Sequence, residues 1–134
     1  MILKFLISMF LYFIFVGFSL SNENYYFEAK KKFNENDMEK SKFLFQKNIV
    51  FNPKDSKSYL YLAKIFNIQE NEKEEEKNLN TTLILDPKNE EAMYMLIKIK
   101  LKKSNYSEVE ELKEKFVIIC NDLCEKTNEI DNIL

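Results

Sequence analysis

With 134 residues, 46% of them apolar and 31% charged, and a formal charge of −2, the sequence has room for one small domain. It offers no electrostatic case for binding nucleic acid. Every one of its 20 basic residues is lysine and histidine is absent, so no imidazole base exists for Ser-His-Asp or Cys-His catalysis. The single glycine, Gly17, lies in an N-terminal apolar segment, which leaves no phosphate-cradling glycine loop in the rest of the chain.

Residues 1–21 read as an export signal. Lys4 gives a positive start, Phe5–Val16 is uncharged and mostly apolar, and Ser19-Leu20-Ser21 offers small residues for cleavage before Asn22. The expectation is an exported protein of the periplasm or cell envelope. Extending the apolar run to Leu20 brings it near the ~20 residues of a membrane span, so a retained anchor is the alternative. No cysteine follows the run, so a lipoprotein anchor is not indicated.

After the signal the chain divides into similar stretches. In residues 22–55, Tyr25, Ala29 and Phe33 form one helical face, Asn34-Glu35-Asn36-Asp37 a turn, and Met38, Phe45 and Ile49 a second face before Pro53. Residues 56–89 repeat the plan: Tyr59, Leu62, Ala63 and Phe66, a polar break, then Leu79, Leu83 and Ile84 before Asp86-Pro87. The two prolines are 34 positions apart, and proline marks a joint because it cannot continue a helix. From Glu90 a third stretch carries Met93, Leu96, Ile97 and Leu101, a turn at Lys103-Ser104-Asn105, then Tyr106, Val109, Leu112 and Phe116; Asn121 stands where the next proline is due. Asn36, Asn71 and Asn105 recur at or beside the turns. With glycine absent, asparagine is expected to supply the left-handed conformation there.

A helix–turn–helix unit of 34 residues closed by proline resembles the tetratricopeptide repeat. The resemblance implies an all-α fold: a short α-solenoid of three antiparallel helix pairs (22–55, 56–89, 90–119) in a right-handed superhelical stack, with a tail at 120–134. Family repeats favour small residues at the eighth and twentieth positions. Ala29, Ala63 and Ser41 fit, while Glu75 departs, so the middle unit's second helix is expected to pack less tightly. The core candidates are Tyr25, Ala29, Phe45, Tyr59, Leu62, Ala63, Phe66, Leu79, Leu83, Leu96 and Phe116.

Cys120 and Cys124 are the only cysteines, and an oxidising compartment would favour a disulfide between them. Four-residue spacing is awkward within a helix, so the helix is expected to break at Asn121-Asp122. The bridge would then pin the tail through Ile130, Ile133 and Leu134; two reduced, partly buried cysteines are the alternative. Cys-x-x-Cys spacing is absent, and zinc would lack ligands. The acidic run from Glu70 to Glu76 lacks a calcium loop's alternation and glycine and reads as a solvated helix face. No cofactor, metal or catalysis is expected.

What remains is binding. The resemblance implies a ligand along the concave surface made by the first helices, at five positions of each unit. The ninth positions are Lys30, Lys64 and Lys98. Lys57 and Lys102 take two more, Tyr26, Leu60 and Tyr94 the fifth, and Phe33 and Leu101 the twelfth. Such a lysine ladder with apolar patches suits an extended, acidic peptide. Glu23 and Glu91 at second positions dilute the charge, and lysines so placed also serve simply as solvated surface. The expectation is a non-catalytic interaction module for a protein or peptide. The alternative is a membrane-anchored structural or assembly subunit that self-associates through helix faces.

Overall fold

The computed structural model describes residues 25–134, so the expected export signal and Glu23 lie outside the described residues. Six long helices follow in order: α1 (Tyr25–Asn34), α2 (Met38–Phe51), α3 (Ser56–Ile68), α4 (Glu72–Leu85), α5 (Glu90–Lys102) and α6 (Tyr106–Ile119). A short α7 (Lys126–Asp131) ends the chain. Each helix packs chiefly on its sequence neighbours, which makes three helix pairs stacked in one direction. The all-α solenoid is thus the observed architecture, and no strand occurs among the described residues.

The turn within each pair is closed by backbone hydrogen bonds. Asp37 N–H donates to the Lys32 carbonyl and Asn36 N–H to that of Phe33; Asn71 to Phe66 and Glu70 to Asn67, and Asn105 to Lys100 and Ser104 to Leu101, repeat the pattern. This double closure requires one left-handed residue, which is Asn36 (φ 61°), Glu70 (φ 55°) and Ser104 (φ 55°) in turn. Asparagine therefore supplies that conformation in the first unit only. Asn71 and Asn105 stand one place later, as the N-caps of α4 and α6, and the Asn71 side chain accepts from Glu74 N–H. Between pairs the joints also repeat: Asn52 N–H reaches the Asn48 carbonyl, Asp86 that of Thr82 and Cys120 that of Phe116. The third joint keeps this bond without a proline.

The core has two parts, and α3 serves both. Leu62 and Ile65 pack with Ala29, Leu44 and Phe45, while Leu60 and Ala63 pack with Leu79, Leu96, Ile97 and Phe116. A helix flanked by pairs on both sides buries more of its circumference than one amphipathic stripe, which puts Leu60 (7% exposed) in the interior. Ala29, Phe45, Leu62, Ala63, Leu79, Leu96 and Phe116 are buried as expected, whereas Tyr25, Tyr59, Phe66 and Leu83 are only half-buried. Where small residues meet, the Ser41 hydroxyl donates to the Ala29 carbonyl at 2.9 Å.

The middle unit corrects one expectation. Glu75 does not loosen α4; α3 and α4 form the most extensively contacting pair. The Glu75 carboxylate is buried and accepts a hydrogen bond from Asn67 Nδ2 at 3.0 Å. Burial still raises its pKa, and the Asn67 bond offsets that only in part. The acidic run is likewise not all solvated. Glu76 meets Lys100, itself buried, at 2.6 Å, and Lys100 also pairs with Glu108 at 3.0 Å.

Candidate functional site

The first helices α1, α3 and α5 form one continuous layer. The rings of Tyr26 on α1 and Tyr61 on α3 meet edge to face at 6.1 Å, and Lys64 on α3 pairs with Glu91 on α5 at 2.7 Å. Phe33 packs edge-on against Tyr61 at 5.2 Å, and Phe45 stacks beneath it at 5.0 Å. Tyr26, Phe33 and Tyr61 are half-buried above the fully buried Phe45, and burial, followed by Tyr61 and Asp55, pushes the Tyr26 hydroxyl up from its ordinary pKa. Tyr61 is a member that sequence reasoning missed. It lies outside the five groove positions, although its place three residues before Lys64 puts both on one helix face.

The three in-register lysines have different surroundings. The side chain of Lys64 is 24% exposed, lies over the Tyr61 ring at 4.9 Å and holds Glu91. Lys98 is exposed and lies 5.8 Å from the Tyr94 ring centroid. Lys30 and Lys57 are exposed, and neither pairs with a carboxylate among the described residues. Lys102 leaves the ladder, since Glu72 on α4 holds it at 3.0 Å and raises its pKa. Leu101, Phe33 and Tyr26 are half-buried, and Leu60 lies below the surface in the core.

At the C-terminal end, α7 adds to this layer. The Tyr94 hydroxyl donates to Glu129 at 2.8 Å, and Lys126 lies 5.9 Å from the same ring. Burial, then the Glu129 carboxylate, pushes the Tyr94 pKa up to about 12. The Glu90 carboxylate accepts from the backbone N–H groups of Asn121, Asp122 and Leu123 at 2.7 to 3.2 Å, and those bonds hold its pKa down. Within that loop Cys120 and Cys124 are disulfide-bonded, their Cα atoms 5.1 Å apart. α6 ends at Ile119, one residue before the bridge and two before the expected break. Ile130 is fully buried and Leu123 packs half-buried on the same core, whereas Ile133 and Leu134 are about half exposed, so of the three expected anchors only Ile130 reaches the interior.

Among the described residues no group of three or more cysteine, aspartate or glutamate side chains is arranged to hold a metal ion. No helix among them is long and apolar enough to cross a membrane. The face offers aromatic surface, cations and hydrogen bonds, which is binding chemistry.

No protein-family model matches the sequence, and no curated protein matches it either. Solved structures do match in shape. The Yersinia enterocolitica type III secretion chaperone SycD, in complex with a peptide of the translocator YopD, superposes with a TM-score of 0.71 at 16% identity, over 84% of this chain and 88% of that one. The TPR2B domain of yeast Sti1, from a complex with pHsp70, gives 0.68 at 18% identity, over 83% and 90%. The first TPR of Spaghetti (RPAP3), bound to the HSP90 peptide SRMEEVD, gives 0.69 at 15% identity, over 79% and 84%. Three stacked helix pairs at a 34-residue period, each closed by the same left-handed turn, and these superpositions lead to one conclusion: the chain has the tetratricopeptide-repeat fold.

Proposed function

We propose that this chain is a non-catalytic interaction module of the cell envelope that binds an extended, acidic peptide segment along the α1–α3–α5 face. One observation carries the reading. In the middle unit the ninth-position lysine, Lys64, is neutralised by Glu91, the second residue of the next unit. In the first unit the same relation sets Lys30 against Lys57, so the repeat places a second cation where the carboxylate belongs. A ligand carboxylate between them completes the arrangement that Lys64 and Glu91 already form, with Tyr26 and Phe33 as the apolar neighbours. The Spaghetti structure supports the reading, since the HSP90 peptide bound there, SRMEEVD, carries acidic side chains. Lysine ammonium groups make point-charge contacts, so the acidic side chain matters more than its exact orientation. Export through residues 1–21 belongs to the same proposal, and mass spectrometry of the secreted form tests it directly.

Fluorescence polarisation with a panel of acidic peptides and their amide counterparts tests the binding. The parent is expected to prefer the acidic set, with affinity falling as salt rises. Lys57→Glu supplies the missing carboxylate from within, and is expected to weaken acidic binding by roughly tenfold or more, as loss of one charge contact would. Equal binding of acidic and amide peptides, or an unchanged affinity in folded Lys57→Glu, overturns the proposal.

A further inference from the structure

The second-helix layer carries a pattern that the binding face does not use. Val50, Ile84 and Ile118 recur at spacing 34 near the ends of α2, α4 and α6, and are 76%, 78% and 83% exposed. One exposed apolar side chain is ordinary on a protein surface. Three β-branched residues at one unit position, with exposed Phe51 and Val117 beside two of them, make a row across the outside of the stack. Beside Ile118 a recess of about 480 Å³ opens between α4 and α6, floored by Leu83, Met93 and Leu112.

The charges at the two ends of the row indicate what covers it. α2 carries three lysines against one glutamate, and α6 carries four glutamates against two lysines. The row is therefore basic at one end and acidic at the other. A surface that satisfies both ends must carry the opposite order, and a second copy of this chain presents that order when rotated about an axis parallel to the helices.

We propose that the second-helix layer is the interface of a symmetric homodimer, in which Ile84 meets its own equivalent and Val50 of each copy faces Ile118 of the other. The same rotation brings Phe51 of the second copy toward the recess beside Ile118. The other face-to-face two-fold, with its axis along the row, would set α6 against α6 and oppose like charges. The peptide face lies on the opposite layer, so the dimer would hold two such faces outward and gain avidity for a partner with two segments. The interface stands whether or not that face binds peptide.

Sedimentation velocity over a micromolar concentration series tests the proposal, using the chain purified in the N-terminal form that an exporting host yields. The parent is expected to form dimers. Ile84→Glu sets two carboxylates against each other on the axis and is expected to give a monomer with unchanged helical circular dichroism, since the residue has no part in the core. Lys40→Glu with Lys47→Glu makes both ends acidic, and Glu111→Lys with Glu114→Lys makes both ends basic. Each charge variant alone is expected to be monomeric, and an equimolar mixture to dimerise, because each then complements the other. Should Lys47→Glu disturb Tyr25, over whose ring Lys47 lies, Lys40→Glu with Lys42→Glu replaces that pair and makes the end equally acidic. A parent that stays monomeric, a dimer that survives Ile84→Glu, or folded charge variants that fail to recombine overturns the interface.

Discussion

Ile97 and Ile130 are both fully buried in the same core cluster, yet their truncation to alanine should differ in cost and in reach. Side-chain chemistry does not separate them, since Ile→Ala in a core typically costs about 2–5 kcal/mol. The difference lies in what carries each residue. Ile97 sits in the middle of α5, between α4 and α6, and cannot leave the core unless the stack opens. Ile130 sits on a six-residue helix whose other attachments are the Tyr94–Glu129 hydrogen bond, the Lys113–Asp131 ion pair and, on the loop before it, the Glu90 clamp and half-buried Leu123. Docking that helix gains the burial of one large side chain, about 1.5–3 kcal/mol, less the entropy of ordering the tail. Once truncation exceeds this gain the tail undocks and the loss stops. Ile130→Ala is therefore expected to lower global stability by at most about 2 kcal/mol, and Ile97→Ala by about 3 kcal/mol or more. Urea denaturation gives the totals, and native-state hydrogen exchange gives the reach. For Ile130→Ala, protection should fall within α7 and the disulfide loop and stay level in α5 and α6. A loss equal to that of Ile97→Ala, spread through α5 and α6, would show that the tail is an integral part of the core and refute the argument.

Three further outcomes follow from particular residues. Glu70 holds a left-handed backbone without being glycine or asparagine, so Glu70→Gly should relieve about 1 kcal/mol and raise the thermal midpoint, and a lowered midpoint would contradict this. Burial raises the Glu75 pKa above its ordinary 4.5, so the folded chain keeps that proton to higher pH than the unfolded chain. This group's effect is a stability that declines as pH rises from 4.5 through the raised folded value and is level above it; Glu75→Gln should remove the decline, and parallel stability–pH curves for the two proteins would exclude it. At Lys100 burial opposes the charge, but Glu76 and Glu108 outweigh it and the net pKa is raised. Lys100→Met should cost about 3 kcal/mol in urea denaturation, the low end for a broken buried pair because Lys103 still neutralises Glu76, and a cost below about 1 kcal/mol would mark an ordinary surface pair.

The fold was legible because its period is written twice in the sequence, once in prolines and once in apolar faces. Pro53 and Pro87 set the frame, and Ala29, Ala63, Phe45 and Leu79 fall on its inward positions. What the sequence hid is what side chains do not encode. The left-handed turn residue is fixed by two backbone hydrogen bonds, which hold Glu70 and Ser104 as firmly as Asn36. The resemblance puts Leu60 on the groove surface as a fifth-position residue, whereas α3 has packed neighbours on both sides and takes it into the core. In the tail three apolar residues suggested three anchors. A six-residue helix can direct only part of its surface inward, and Ile130 takes that place.

The candidate site was legible in its spacing and not in its electrostatics, for a related reason. Lys30, Lys64 and Lys98 are equivalent along the chain, but the residue that decides each one's charge environment comes from the next unit. For Lys64 that residue is Glu91, which converts a possible ligand contact into an internal ion pair. For Lys30 the corresponding residue is Lys57, which offers no carboxylate. Lys98 is followed by the tail, whose Lys126 and Glu129 gather around Tyr94 beside it. A ladder of three equal rungs is therefore one open end, one closed middle and one end built by the tail. On the proposed reading, an acidic ligand would gain most at the Lys30–Lys57 end, since neither lysine pairs with a carboxylate among the described residues. If the lysines bind as proposed, the strength of each contact depends on the second residue of the following unit as much as on the lysine itself, and Lys57→Glu is expected to close the rung at Lys30 as Glu91 closes the one at Lys64.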